Sequence, residues 1–238
     1  MSGGDEKRSP VAALPPEASM VDFPGRMAAL LYTRGCNFRC GFCHNGGLWG
    51  QAREGLAWED VRGRLARFRE NWVDGAVVTG GEPTLQTGLG ELIGLLRDME
   101  FAVKLDTNGS RPDVLEEMLG RVDYVAMDVK CAPDEYAERT GWGDTAALTR
   151  SLAILKESGK DYELRTTVIR GWHGEAALRA MGEWARGAKR WIVQPFIPRD
   201  HLPDAAMRTL GETTGDELEA AAAVLRDYAG EVRIRGGW

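Results

Sequence analysis

The chain has 238 residues, of which 43% are hydrophobic and 28% charged, a composition typical of a globular protein with a sizeable core. The formal net charge of −6 argues against a duplex nucleic-acid partner, whose phosphates require a basic surface. The N-terminal stretch lacks the apolar core of a signal peptide, and no apolar run is long enough to cross a bilayer. We therefore expect a cytoplasmic protein with neither a nucleic-acid nor a membrane partner.

A polar, proline-containing stretch over residues 1–18 is predicted to be a flexible tail, followed by one domain over residues 19–238. Strands are predicted at 27–33, 75–79, 101–106, 122–127, 162–169, 190–196 and 231–235. Helices are predicted near 57–71, 87–99, 112–119, 145–158, 174–187 and 216–228. This alternation predicts βαβ units and a mainly parallel sheet, which could form either a partial (β/α) barrel or a doubly wound fold.

Polar residues stand at or near the C-terminal ends of five successive predicted strands. They are Gly80, Gly81 and Glu82; Asp106, Thr107 and Asn108; Asp128 and Lys130; Arg165 and Thr167; and Gln194. In parallel α/β folds, ligand sites are built at this edge of the sheet. Polar turns would account for any one of these groups, but five in succession indicate a binding site.

Three cysteines follow the first predicted strand with C-x3-C-x2-C spacing, at Cys36, Cys40 and Cys43. Three thiolates on one short loop suit an iron–sulfur cluster and leave one iron open to a further ligand. A structural zinc ion normally takes four protein ligands, but the fourth cysteine, Cys131, is distant in sequence and His44 is adjacent to Cys43. Buried packing cysteines are the third interpretation, and the polar and glycine neighbours disfavour it.

This spacing, with Phe42 before the last cysteine and the Gly-Gly-Glu-Pro motif at 80–83, resembles the radical S-adenosylmethionine superfamily. The resemblance extends from about residue 19 to the C-terminus. It implies an α/β fold of the partial (β/α)6 TIM-barrel type and a [4Fe–4S] cluster held by Cys36, Cys40 and Cys43. It also implies reductive cleavage of S-adenosylmethionine, which yields a radical that abstracts a hydrogen atom.

The same resemblance implies roles for the strand-end residues in binding the cofactor. Gly80 and Gly81 would let the backbone approach S-adenosylmethionine, and Glu82 would either accept a hydrogen bond from it or stabilise the barrel. The segment from Asp106 through Thr107 to Asn108 resembles the Asp-Thr-Asn-Gly of glycyl-radical activating enzymes. There it helps to hold the cofactor's carboxylate region, in some cases with a monovalent cation, here expected near Asp106.

Other roles follow from the same family pattern. Lys130 would bind the carboxylate and Asp128 the ammonium group of the cofactor, with a surface ion pair as the alternative. Phe42 and His44 are expected near the adenine. Some activating enzymes carry a histidine where this chain has Ile197, which weakens the match to the pyruvate formate-lyase type; Gln194 is the expected replacement. Cys131 receives no role.

The segment 19–26, together with residues 33–40 and 43–45, resembles the activating proteins of anaerobic ribonucleoside-triphosphate reductase. That resemblance implies a glycyl radical formed on the reductase, with a flavodoxin or ferredoxin as electron donor. The alternatives are a pyruvate formate-lyase type activase, a small-molecule radical enzyme such as a 7-carboxy-7-deazaguanine synthase, and a non-enzymatic metal-binding module.

Overall fold

A computed structural model describes residues 8–50 and 54–236, and it divides the chain into two compact units. The first unit comprises Met1–Cys36, Gly47–Thr107 and Glu117–Val125. The second comprises Asn37–Gly46, Asn108–Glu116 and Ala126–Trp238. Strand β5 (Tyr124–Asp128) and helix α3 (Pro112–Leu119) each contribute residues to both units.

The first unit is built on four strands, of which the last three are parallel. They are β1 (Val11–Ala13), β2 (Ala28–Thr33), β3 (Gly75–Gly80) and β4 (Ala102–Thr107). The continuous apolar run of β3 is buried on both faces, as expected for a central parallel strand. Helix α1 (Trp58–Glu70) and helix α2 (Leu89–Asp98) each bury a stripe of apolar residues at helical spacing.

The second unit contains three further parallel strands, β6 (Asp161–Val168), β7 (Trp191–Pro195) and β8 (Val232–Ile234). Its helices are α4 (Tyr136–Thr140), α5 (Thr145–Glu157), α6 (Glu175–Trp184), α7 (Ala205–Arg208) and α8 (Gly215–Leu225). Trp191 is fully buried at the start of β7, so this strand runs through the core. Thr214 and Glu217 form a capping box that fixes where α8 begins.

Every strand and helix predicted from the sequence is present, with ends that differ by a few residues. The flexible tail predicted over residues 1–18 is wrong for residues 8–18, because β1 pairs antiparallel with β2 and Val11 is fully buried. The prolines around this strand had suggested a tail, but proline is compatible with a short strand at the edge of a sheet. Residues 1–7 of that tail lie outside the described residues, and the single domain over 19–238 stays a prediction.

Within residues 8–50 and 54–236, no helix combines the length and the apolar composition needed to cross a membrane.

Candidate active site

The predicted cluster-binding cysteines lie in the loop after β2. Cys36 ends the first unit, whereas Cys40 and Cys43 belong to the second, where the Cys43 amide donates to the Cys40 carbonyl at 3.0 Å. All three are free thiols; Cys40 is buried, and Cys36 and Cys43 are partly exposed. This donor set fits an iron–sulfur cluster, which takes thiolate ligands.

No group of three His, Cys, Asp or Glu side chains that could hold a single metal ion occurs in the described part of the chain. A cubane cluster does not require three side chains around one metal ion, because each thiolate binds a separate iron. Cys131, which received no role, is fully buried, and burial raises the pKa of its thiol to about 12, with the negative charges of Glu135 and Cys40 adding to the effect.

Two glycines let a neighbouring segment pack against the cysteine loop within the second unit. A Cβ on Gly41 would lie 2.7 Å from the Asp204 Cβ, and one on Gly46 would lie 2.6 Å from the Pro203 Cγ. The Asp204 amide also donates to the Gly41 carbonyl at 3.1 Å. Any larger residue at either glycine would therefore push this segment away from the loop.

His44 and Ile197 lie close together in the second unit. The His44 Nε2 lies 3.0 Å from the carbonyl oxygen of Ile197, the position at which some activating enzymes have a histidine. Gln194 does not fill that place directly; its amide donates to the Thr167 hydroxyl at 3.0 Å, across the β6–β7 pair.

The Gly-Gly-Glu-Pro motif packs directly against the start of the cysteine loop in the first unit. A Cβ on Gly81 would lie 1.9 Å from the Gly35 carbonyl oxygen, and Gly80 has a positive φ of 113°. The Glu82 amide donates to the same Gly35 carbonyl at 2.8 Å. Glycine at 81 is therefore required by the close approach of two backbone segments.

Glu82 is 1% exposed and holds its neighbours by hydrogen bonds. Its Oε1 atom accepts bonds from the Thr84 amide at 3.0 Å, from the Thr84 hydroxyl and from the Thr107 hydroxyl at 2.8 Å. A carboxylate oxygen occupied in this way favours the barrel-stabilising interpretation of Glu82, and it fixes the side chain of Thr107.

Lys104, which the sequence reading missed, lies beside Asp106 in β4. Its side chain is fully buried, and its Nζ lies 2.6 Å from the Asp106 Oδ1. Residues two apart on a strand point to the same side, which explains the pairing. The signal in the sequence was a lysine inside an otherwise apolar strand, two residues before the Asp-Thr-Asn-Gly motif.

Asn108 joins the loop after β4 to the cysteine loop within the second unit. Its amide donates to the Asn37 Oδ1 at 2.9 Å, and the Asn37 amide donates to the Ser110 hydroxyl at 2.8 Å. The Ser110 amide in turn donates to the Asn108 Oδ1 at 2.9 Å. Asn108 therefore orients the cysteine loop, and neither Asn37 nor Ser110 was identified from the sequence.

Asp128, Lys130 and Arg165 form a partly buried ionic cluster in the second unit. The Asp128 carboxylate accepts bonds from the Lys130 Nζ at 3.1 Å and from the Arg165 Nε at 2.9 Å. Burial would raise the pKa of Asp128, but these two cations and their hydrogen bonds outweigh it and lower the pKa to about 2. With side-chain exposures of 28%, 17% and 14%, these three residues do not form the surface pair considered above.

Lys130 also faces the cysteine loop. Its Nζ lies 5.6 Å from the centre of the Phe42 ring, which packs edge-on against Trp172. Burial would lower the pKa of Lys130, but the negative charges of Asp128, Cys40 and Cys43 raise it. The ammonium group is thus kept charged next to two of the predicted cluster ligands.

Two buried side chains hold the Lys130 backbone, and neither was identified from the sequence. The Lys130 amide donates to the Tyr136 hydroxyl at 2.9 Å, and the Lys130 carbonyl lies 3.0 Å from the His173 Nε2. The His173 Nδ1 accepts from the Ile169 amide, so the hydrogen must be on Nε2. Burial lowers the pKa of His173 to about 4, although its backbone hydrogen bonds oppose the shift.

The sequence profile described as the Radical SAM superfamily matches residues 30–181 of this chain. A Methanocaldococcus jannaschii protein, named as a candidate glycyl-radical enzyme activating enzyme, is 28% identical over 92% of this chain and 93% of its own length. The pyruvate formate-lyase-activating enzyme of Streptococcus mutans is 30% identical over 80% of this chain and 78% of its own length.

Among solved structures, Streptococcus suis SuiB bound to S-adenosylmethionine aligns with a TM-score of 0.68 at 14% identity. The alignment covers 87% of this chain and 50% of SuiB, so this chain spans about half of that protein. At such identity the likeness concerns the fold alone. The predicted α/β fold of the partial-barrel type is confirmed.

Proposed function

This chain belongs to the radical S-adenosylmethionine superfamily, and from that premise we propose that it generates a glycyl radical on anaerobic ribonucleoside-triphosphate reductase. It is a radical S-adenosylmethionine enzyme whose relatives are glycyl-radical enzyme activating enzymes. The superfamily uses a [4Fe–4S] cluster together with S-adenosylmethionine. The observation that carries the cofactor-binding part of this proposal is the Lys130 ammonium, which lies beside Phe42 and close to the charges of Cys40 and Cys43.

Cys36, Cys40 and Cys43 would hold the cluster, because their thiolates are the donors that iron–sulfur clusters take. When bound, the cluster and S-adenosylmethionine supply a one-electron cleavage that yields a hydrogen-abstracting radical. Phe42 precedes the last cysteine and would provide an apolar wall that excludes water.

The charged residues of the second unit would orient the cofactor's amino-acid end. Lys130 would attract its carboxylate as a strongly hydrogen-bonding cation. Asp128, whose low pKa keeps it ionised at neutral pH, would accept from its ammonium group. Arg165 neutralises Asp128 from the other side, and His173 keeps the Lys130 backbone in place.

The choice of the reductase as target rests on residues 19–26. This segment is a fixed part of the first unit: Ser19 pairs with Ala28 through two backbone hydrogen bonds of 2.8 Å, and Phe23 is 4% exposed against Tyr124. Ile197, in place of the histidine of some activating enzymes, also favours the reductase over pyruvate formate-lyase. We place the reaction in the cytoplasm, with a flavodoxin or ferredoxin as electron donor.

An activase of pyruvate formate-lyase is the second candidate, because the Streptococcus mutans relative carries that name at 30% identity. Electron paramagnetic resonance separates the two targets. The reconstituted, reduced protein would be mixed anaerobically with S-adenosylmethionine and either the reductase or pyruvate formate-lyase. We expect a glycyl doublet and 5′-deoxyadenosine with the reductase alone. A doublet only on pyruvate formate-lyase would transfer the proposal to that target, and no doublet on either would reject both.

Replacing the cluster cysteines tests the metal site separately. Alanine at Cys36, Cys40 or Cys43 should remove most of the iron and the cluster's absorbance, because two thiolates do not hold a cubane with one open iron. Cys131→Ala is the matched control, since this fully buried thiol should leave the iron content unchanged. Full iron content in any one of the three variants would contradict the assignment of that cysteine.

A further inference from the structure

The fully buried lysine of the first unit is the most unusual charged group in the described residues. The Lys104 side chain has no exposure to solvent, and its Nζ is 2.6 Å from the Asp106 Oδ1. Burying an ammonium group is costly unless an anion accompanies it, and the Asp106 carboxylate is such an anion at hydrogen-bond distance. A lysine in such a position is not explained by packing, for which a strand would use an aliphatic residue.

Asp106 is the residue at which the family resemblance suggested a monovalent cation. In this chain, one oxygen of that carboxylate is already engaged by an ammonium group at hydrogen-bond distance. A sodium or potassium ion bound to the same oxygen would lie next to a fixed positive charge in a buried environment. Two like charges at such a separation repel strongly when water is excluded.

We propose that the Lys104 ammonium is a built-in cation that replaces a bound monovalent metal ion at Asp106. The proposal rests on the proposed function, together with the family resemblance that places Asp106 in the cofactor's carboxylate region. It predicts that this chain binds and cleaves S-adenosylmethionine without sodium or potassium. Lys104 is then a positioning residue that acts through Asp106, and the strand itself carries the charge that a metal ion would otherwise supply.

The first test uses the wild-type holoenzyme with tetramethylammonium replacing sodium and potassium at constant ionic strength. The dissociation constant of S-adenosylmethionine and the rate of 5′-deoxyadenosine release should change by less than about twofold, because no metal ion is removed from the site. A loss of about tenfold or more that potassium reverses would overturn the proposal.

A second test needs neither cluster nor cofactor. An ion that binds the folded state raises the melting temperature with its concentration. The melting temperature of the cluster-free wild-type chain should be the same in potassium and in tetramethylammonium. A rise that saturates with potassium would show an occupied metal site and would overturn the proposal.

Lys104→Met keeps the length of the side chain and removes its charge. In tetramethylammonium we expect this variant to bind S-adenosylmethionine about tenfold more weakly, and potassium to restore part of the affinity by entering the vacated place. Lys189→Met is the control, because it removes an ion pair with Asp161 that is about half exposed. Wild-type affinity of Lys104→Met in both buffers would overturn the proposal.

The wild-type melting comparison keeps the proposal testable even where Lys104→Met does not fold. No step requires the reductase, so a missing glycyl doublet would reject the proposed target and leave this inference standing.

Discussion

Two ionic pairs, Lys-x-Asp at 104–106 and Asp-x-Lys at 128–130, lie in or directly after consecutive strands of the chain. They differ in how much of their side chains is exposed to water. Lys104 and Asp106 in β4 have side chains that are 0% and 9% exposed, whereas Asp128 and Lys130 at the end of β5 are 28% and 17% exposed. Lys104 and Asp106 are two residues apart within β4 and therefore project to the same side of the strand, whereas Asp128 ends β5 and Lys130 lies two residues beyond it. The two pairs therefore differ in how far water reaches their charged groups.

The difference separates a charge that is enclosed in the protein from a charge that remains partly exposed and can bind a ligand. The Lys104 ammonium and the Asp106 carboxylate are enclosed together, so removing either member takes a close ionic partner from a buried charge. Asp128 has two cationic neighbours, and the loss of one leaves the other in place. Lys130 can therefore engage a ligand at a smaller cost to stability.

The largest expected effect comes from neutralising the two aspartates. Asp106→Asn should lower the free energy of unfolding by about 3–5 kcal/mol, because it leaves Lys104 buried beside a neutral amide. Asp128→Asn should cost only about 1–2 kcal/mol, because Lys130 and Arg165 keep partial access to water. Urea denaturation of the cluster-free variants measures both values. Equal losses would contradict the distinction between the two pairs.

His173, which binds the backbone of Lys130, should make the stability of the protein depend on pH. Its pKa is about 4 in the folded protein and 6.5 for an unperturbed histidine, so between these values the unfolded chain binds more protons. The contribution of His173 to the free energy of unfolding is therefore complete above pH 6.5. It is lost as the pH falls toward 4, and the total loss is about 3 kcal/mol.

His173→Gln should remove most of this pH dependence while retaining a donor to the Lys130 carbonyl. The measurement is the free energy of unfolding of the cluster-free wild-type and variant chains at several pH values from 7 to 4. His201→Gln is the control, because it makes the same substitution at a histidine whose side chain is exposed. A variant at 173 with the wild-type slope would show that another group titrates in this window.

The two pairs also show how far the sequence can be read. The alternation of elements predicted the strands, the helices and a mainly parallel sheet, because these depend on local periodicity. The choice of a partial barrel over a doubly wound fold came from the family resemblance that the cysteine spacing and the Gly-Gly-Glu-Pro motif carry. Asp106, Asp128 and Lys130 were identified as strand-end residues. Lys104 was missed, because its importance arises from complete burial, which depends on packing rather than on the strand's own pattern.

His173 and Tyr136 were missed for a related reason. They bind the Lys130 backbone from positions 43 and 6 residues away, and hydrogen bonds to a backbone leave no residue pattern in the partner segment. The edge strand β1 was missed because three residues give too short a run for an alternation to be recognised.

The smallest expected effect on stability comes from Lys130, although its effect on binding should be clear. Lys130→Met should lower the free energy of unfolding by about 1 kcal/mol, since Arg165 still neutralises Asp128. The affinity for S-adenosylmethionine should fall by about tenfold or more, because a hydrogen-bonded cation facing the carboxylate is lost. Iron content should match the wild type, which separates cofactor binding from cluster assembly. Unchanged affinity would remove Lys130 from the cofactor site, and the exposure of the second pair would then need another ligand.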